Sequence, residues 1–118
     1  MRSLRIYAFI LAMMASSTYA SDDDAEKINH LLEYVRRSAC VFIRNGNEYT
    51  PEDAEKHLRM KYKRGKKRVT NAEAFINLIA TKSSFSGKSY LIRCGEQAPQ
   101  PTADWLRERL SGYPQHNS

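Results

Sequence analysis

Polar side chains that suit an anionic ligand flank two turns of the sequence. Arg44 and Asn45 precede Gly46 in the first turn, and a serine-rich stretch around Gly87 forms the second. An arginine guanidinium can clamp a carboxylate or a phosphate through two parallel hydrogen bonds. We therefore consider one set of residues a candidate site for a small anion or a glycan: Arg44, Asn45, Tyr49, Ser84, Ser86 and Lys88. The alternative is that the asparagine and the serines only satisfy backbone groups of the turns.

A run of cations forms a second candidate site. The chain has a net charge of +6, and the six basic residues between positions 61 and 68 account for the whole excess. Such a patch gives nonspecific affinity for phosphate polyanions. The alternative is a solvated helix end, where cations suit the helix dipole. The patch comprises Lys61, Lys63, Arg64, Lys66, Lys67 and Arg68.

His57 is the one histidine inside a strongly patterned helix. A neutral imidazole can activate a hydroxyl, so His57 with Ser83, Ser84 or Ser86 is an alternative hydrolase pair. No G-x-S-x-G elbow surrounds these serines, and serines in such a loop are usually turn formers. A buried, hydrogen-bonded structural histidine is the competing interpretation.

The sequence predicts no metal ion, nucleotide or cofactor. Its histidines lack the H-x-x-x-H and H-E-x-x-H spacings of zinc sites. Gly87-Lys88-Ser89 is similar to the end of a P-loop, but Lys82 stands where that motif requires glycine. A strand, not the helix of a P-loop, is predicted to follow.

Residues 1–20 have the pattern of a cleaved signal peptide. Arg2 and Arg5 give a basic start, residues 6–15 are apolar, and Ala20 supplies a small residue at the cleavage point. Ten apolar residues are too few to span a bilayer, which needs about 20. We expect an exported chain with no transmembrane segment after cleavage, one domain over residues 21–112 and a flexible tail over 113–118. The alternative is an uncleaved anchor.

The two cysteines take their meaning from export. In an oxidising compartment, two cysteines in a small domain most simply form one disulfide, here Cys40–Cys94. Its closed loop of about 55 residues corresponds to roughly 4 kcal/mol in the chain-entropy model. The alternative is a reactive Cys40 beside a histidine, which leaves Cys94 without a role.

Hydrophobic periodicity predicts a small α+β domain with the order α-β-α-α-β-α. Four helices are predicted, with starts at Ser21–Asp24, at Thr50–Pro51, at a capping box over Thr70–Glu73 and at Thr102. They end near Arg37, at Gly65, before Ser83 and before Gly112, and strands are predicted near residues 39–44 and 89–94. We expect the strands to form a two-stranded antiparallel sheet in which Phe42 lies opposite Ile92 and Arg44 opposite Tyr90. Three large aromatic residues, Phe75, Phe85 and Trp105, are assigned to the core.

The same topology predicts two separate polar ends. The Asn45-Gly46 turn and the Ser83–Lys88 loop should lie at one end. The basic turn near Gly65 and the disulfide should lie at the other.

Several motifs in order resemble a YfeK-like family of small exported proteobacterial proteins of unknown function. The resemblance spans roughly residues 26–110, and Cys40, Cys94 and Trp105-Leu106 match positions common in part of the family. It implies a Gram-negative periplasmic protein and carries no catalytic role. The main motifs are Phe42-Ile43-Arg44-Asn45-Gly46, His57-Leu58-Arg59, Lys61-Tyr62, Ala72-Glu73 with Phe75-Ile76, and Ser83-Ser84 with Ser86-Gly87 and Tyr90.

Together these features predict a non-enzymatic binding or interaction module of the cell envelope. Its expected partner is an anionic envelope component or another periplasmic protein. The alternative function is a small envelope hydrolase that uses His57 and a loop serine such as Ser84.

Overall fold

The computed structural model describes residues 20–114 and contains the predicted helices together with a larger sheet. Residues 1–19 of the predicted signal peptide lie outside the described part. So do residues 115–118 of the predicted tail. The helices are α1 (Asp22–Arg37), α2 (Pro51–Gly65), a 3₁₀ turn (Lys66–Arg68), α3 (Ala72–Phe75), a π-helix (Ile76–Ala80) and α4 (Thr102–Ser111). The strands are β1 (Val41–Arg44), β2 (Asn47–Tyr49), β3 (Leu91–Arg93) and β4 (Gln100–Pro101).

The sheet is antiparallel and has four strands in the order β2-β1-β3-β4, so the prediction of two strands was wrong in number. The extra strand β2 arises because Asn45 and Gly46 adopt φ values of 51° and 78°. Two successive positive φ angles in an Asn-Gly pair make a tight hairpin turn whose twist matches the strands it joins. The central register is as predicted, with Phe42 opposite Ile92.

The core forms between the helices and one face of the sheet. The predicted stripe of α1 is buried throughout, as are Phe75 and Trp105. The Trp105 ring stacks on Tyr34 at a centroid distance of 4.3 Å and meets Phe42 edge-on. Phe85 is the exception, because 97% of its surface is exposed. Its assignment to the core was wrong, since it stands in the exposed loop after Lys82.

A disulfide ties the start of β1 to the end of β3. The sulfur atoms of Cys40 and Cys94 are bonded, with their Cα atoms 4.5 Å apart, and the chain has no free cysteine. A reactive Cys40 is therefore not what the structure contains. The disulfide links the two central strands covalently and so favours their observed pairing.

The helix that follows Asn71 changes from α to π geometry at Ile76. The last backbone carbonyls of a helix have no partner within the helix and need others. Thr81 Oγ1 donates to the Ile76 carbonyl at 2.7 Å, and Lys61 Nζ donates to the Ile79 carbonyl at 2.8 Å. The π-helix is thereby held against α2. None of the helices within residues 20–114 is long and apolar enough to cross a membrane.

Candidate functional site

A concave surface of about 470 Å³ lies between α2, the π-helix and the Ser83–Lys88 loop, and we call it the Arg44 cleft. Its long wall is one face of α2 and the following 3₁₀ turn. His57, Lys61, Arg64 and Arg68 recur there at spacings of four, three and four residues, which places them in one row along a helix. The remaining lining residues are Arg44, Met60, Gly65, Val69, Leu78, Ile79, Ser83, Ser84, Phe85 and Tyr90.

Arg44 is held at the end of β1 by two neighbours. Its guanidinium donates to the Tyr49 hydroxyl at 3.0 Å and lies over the Tyr49 ring at 4.9 Å. A second guanidinium nitrogen lies 3.1 Å and 3.3 Å from the two ring nitrogens of His57. Because β2 pairs with β1, the missed strand is what brings Tyr49 beside Arg44.

His57 and Tyr90 continue the network into the cleft. His57 Nε2 is 3.2 Å from the Tyr90 hydroxyl, and Lys61 Nζ donates to that hydroxyl at 2.9 Å. A neutral imidazole has one N–H donor and one acceptor nitrogen. The roles of the two ring nitrogens follow from the tautomer of His57. With the proton on Nε2, that nitrogen donates to Tyr90 and Nδ1 accepts from Arg44. With the proton on Nδ1, Nε2 is the acceptor, and Arg44 is its nearest donor at 3.1 Å.

Lys61 has a structural role that its position in the basic stretch of the sequence did not indicate. Its ammonium donates to the Ile79 carbonyl at 2.8 Å, the Lys82 carbonyl at 3.0 Å and the Tyr90 hydroxyl at 2.9 Å. An ammonium has three donors, and all three are used. Lys61 therefore adds positive potential to the cleft but offers a ligand no free hydrogen.

The cleft is strongly cationic because its positive groups are not neutralised. Within residues 20–114, no carboxylate lines the cleft or forms an ion pair with Arg44, Lys61, Arg64 or Arg68. Arginines elsewhere do have partners, since Arg59 pairs with both Glu33 and Glu55. Unpaired cations beside one another make a site that favours an anion.

The neighbouring cations also shift the titration of the groups that line the cleft. Burial lowers the pKa of His57, and the charges of Arg44, Lys61 and Arg64 lower it further. Burial, with a contribution from Arg44, lowers the pKa of Lys61 as well. Burial raises the pKa of Tyr90, although Arg44 opposes this effect. At neutral pH the site thus presents a neutral imidazole and a neutral phenol among cations.

The lowered pKa of His57 predicts a loss of stability in mild acid. Below pH 6.5, His57 binds a proton in the unfolded chain. In the folded chain it stays neutral until a lower pH, because its pKa is lowered there. The free energy of unfolding should therefore fall as the pH decreases from 6.5 towards the folded-state pKa. His57→Gln should flatten this slope in urea titrations between pH 7 and 5.

His30 supplies the comparison for that experiment, because burial and Arg109 lower its pKa in the same direction. His30→Gln should remove only its own share of the slope. A pH dependence that is identical in the parent and in His57→Gln would contradict a neutral His57 in the fold.

The residues predicted for the ligand site do not all face the cleft. Asn45 instead ties the hairpin to the serine loop, since its amide donates to Ser83 Oγ at 3.3 Å and its carbonyl accepts a short hydrogen bond from Ser86 Oγ. The Lys88 backbone N–H donates to the Ser86 hydroxyl at 3.2 Å. Asn45 and Ser86 thus join the hairpin to the serine loop, and their role in ligand binding stays a prediction. Arg44 and Ser84 line the cleft, and Tyr49 positions Arg44.

The Asn45-Gly46 turn and the serine loop meet as expected, but the expectation that the basic stretch lies at the opposite end from them was wrong. Arg44, Ser83 and Ser84 share the Arg44 cleft with Arg64 and Arg68, because the row on α2 runs the whole length of this surface.

At Gly65, an added Cβ would lie 3.2 Å from Ile79 Cδ1, so the absence of a side chain permits α2 to pack closely on the π-helix. Lys63, Lys66 and Lys67 do not line the cleft.

The hydrolase pair is not formed in the described part of the chain. The hydrogen-bond partners of His57 within residues 20–114 are Arg44 and Tyr90, with no serine hydroxyl among them. Ser83 is buried, and its hydroxyl accepts from the backbone N–H groups of Phe85 and Ser86. Within the same range, no group of three or more His, Cys, Asp or Glu side chains is arranged to hold a metal ion.

Sequence reasoning overlooked three contributors to the site. The Tyr90 hydroxyl was within reach of the prediction, because the expected register already placed Tyr90 opposite Arg44. The row from His57 to Arg68 follows from helical spacing alone and was also available. The apolar lining by Met60 and Leu78 had no sequence signal, since both are exposed residues on helices whose neighbours were unknown.

A second cavity of about 160 Å³ shares Arg44, His57 and Tyr90 with the cleft. Its other lining residues include Phe42 and Thr102, and the Thr102 hydroxyl is buried without a hydrogen-bond partner in the described residues. The Arg44–His57–Tyr90 network therefore borders both cavities.

Comparison with known proteins places the chain in a family. Residues 22–114 match the model of a family of unknown function, DUF5329. The chain is 33% identical over 86 residues to the uncharacterized protein YfeK of Salmonella typhimurium (strain LT2), covering 72% of this chain and 71% of that protein. No solved structure matches the chain. The family match spans most of the sequence and contains the whole Arg44 cleft, so this chain belongs to the DUF5329 family of unknown function.

Proposed function

We propose that this chain is an exported, non-enzymatic binding module that takes the phosphate group of an anionic envelope ligand in the Arg44 cleft. The observation that carries the proposal is the row of cations without carboxylate partners among residues 20–114. Arg44 is fixed by Tyr49 and His57 before any ligand arrives, which reduces the entropy lost on binding.

The chemistry of the donors favours an oxyanion. The guanidinium of Arg44 uses two of its three nitrogens on Tyr49 and His57, so further N–H groups remain. Arg64 and Arg68 are exposed and add flexible guanidinium groups along the same wall. Ser84 also lines the cleft and carries a neutral hydroxyl. Several N–H and O–H donors around one concave surface match the oxygens of a phosphate group.

A direct binding experiment tests the proposal. Isothermal titration of the purified protein with inorganic pyrophosphate should show saturable binding that weakens as the salt concentration rises, because the attraction is largely electrostatic. Arg64→Gln with Arg68→Gln should weaken binding, whereas Lys63→Gln with Lys67→Gln should leave it nearly unchanged. These pairs remove equal charge from the same basic stretch. No binding at low salt, or equal losses for the two pairs, would refute the site.

The proposed location in the periplasm is supported by the basic and apolar pattern of residues 1–20 and by a disulfide, which is typical of oxidising compartments. Intact-mass measurement of the protein from the periplasmic fraction should show the loss of residues 1–20. It should also show two hydrogens fewer than the dithiol form. An unprocessed mass, or two thiols that alkylate without reductant, would contradict this location.

A further inference from the structure

The large hydrophobic side chains exposed within residues 20–114 are all placed around one feature. Met60 is 43% exposed, Leu78 is 46% exposed and Phe85 is 97% exposed. They come from α2, from the π-helix and from the loop, yet all three line the Arg44 cleft. We call them the apolar rim. An exposed apolar patch of this kind, located at a charged site, indicates an interaction surface.

Phe85 is presented by an ordered loop. Ser83 Oγ accepts from the Phe85 and Ser86 backbone N–H groups, and the Ser83 N–H donates to the Lys88 carbonyl at 2.9 Å. The Gly87 N–H closes the turn on the Ser83 carbonyl at 2.9 Å. The hydrogen-bonded turn therefore holds the Phe85 ring in solvent, where the ring contributes nothing to the core.

Basic residues flank Phe85 in the sequence, and others line the same cleft. Lys82 and Lys88 flank the loop and are exposed, and neither forms an ion pair within the described residues. Arg64 and Arg68 line the same cleft as the apolar rim. Aromatic side chains beside lysines and arginines suit the boundary of an anionic membrane, where rings enter the acyl region and cations meet phosphates.

We propose that the apolar rim docks on an anionic lipid bilayer, with a headgroup phosphate in the Arg44 cleft and Phe85 inserted among the acyl chains. This inference rests on the proposed phosphate site and names the source of the phosphate. A protruding ring beside a charged cleft suits a bilayer better than a peptide, because peptide anchors fill concave apolar pockets in the binding protein. Phe85, which is 97% exposed, offers a projection instead.

Vesicle sedimentation tests the proposal. Protein from the periplasmic fraction, with its mass verified, should bind vesicles of phosphatidylglycerol and phosphatidylethanolamine and ignore pure phosphatidylcholine. Phe85→Ser should weaken vesicle binding at least tenfold, and it should weaken pyrophosphate binding far less than Arg44→Gln does. Arg44→Gln should weaken both. In Phe85→Trp, the fluorescence should be quenched by brominated acyl chains, a signal that a purely electrostatic contact would not produce.

The possible failures are distinguishable. Pyrophosphate binding without vesicle binding overturns the membrane proposal and leaves the proposed function standing. Loss of pyrophosphate binding in the parent overturns both. If Phe85→Ser binds vesicles as well as the parent, insertion of the ring is refuted. If the parent ignores vesicles but binds an acidic peptide containing phenylalanine in a Phe85-dependent manner, the rim is a protein-docking surface and the lipid proposal falls.

Discussion

Arg44→Gln should weaken the binding of pyrophosphate by about 30-fold or more. Removing one member of a hydrogen-bonded charge pair costs about 2–5 kcal/mol, and each 1.4 kcal/mol is a factor of ten in affinity. The fold should survive, because Arg44 bonds only Tyr49 and His57 and forms no ion pair with a carboxylate in the described residues. Calorimetry and thermal melting of the same preparation measure both effects.

Arg93→Gln is the matched control. Arg93 lies on the neighbouring strand β3 and pairs with Glu48 at 2.8 Å, so it removes the same charge from the same sheet outside the cleft. This variant should bind pyrophosphate like the parent. A second readout separates the roles further, since loss of the Arg44 charge should raise the pKa of His57. Equal losses of affinity in the two arginine variants would show that binding depends on net charge alone.

Lys61→Met destabilises the domain, and we expect a loss of about 2 kcal/mol. The substitution leaves the Ile79 carbonyl and the Tyr90 hydroxyl without their ammonium donor, and an unsatisfied buried polar group costs about 1–3 kcal/mol. Relief from burying a charge, the effect that lowers the pKa of Lys61, offsets part of the loss. For a domain of this size the Tm should fall by about 10 °C.

Lys63→Met is the control for that prediction. Lys63 lies two residues further along the same helix, is exposed, and forms no hydrogen bond or ion pair within residues 20–114. Its substitution should change stability by less than about 0.5 kcal/mol. If the two variants melt together, Lys61 does not anchor the π-helix.

The helices and the central strand pair could be predicted because local signals specify them. The stripe from Ile28 to Val35 repeats at helical spacing, and Thr50 caps α2 by accepting the Asp53 N–H at 3.1 Å. The two cysteines supplied the register of β1 with β3. The number of strands was missed because β2 and β4 have only three and two residues, too few for an alternating pattern to show.

The site was predicted only in part, for a different physical reason. Arg44 was identified from its own chemistry, whereas the roles of Lys61 and Asn45 depend on residues far along the chain. Lys61 contacts carbonyls of the π-helix, and Asn45 contacts the serine loop. Such partners follow from tertiary packing, and neither helical nor strand periodicity encodes them. The exposure of Phe85 likewise depends on the turn that lifts it from the core.

The central claim is that the Arg44 cleft binds a phosphate group, and an NMR titration tests it most directly. Pyrophosphate added to ¹⁵N-labelled protein should shift the backbone signals of Arg44, Ser84 and Tyr90, together with the His57 ring signals. The signals of Arg93 and of α1 should stay in place. Shifts centred on α1, or no saturable shifts at low salt, would contradict the account.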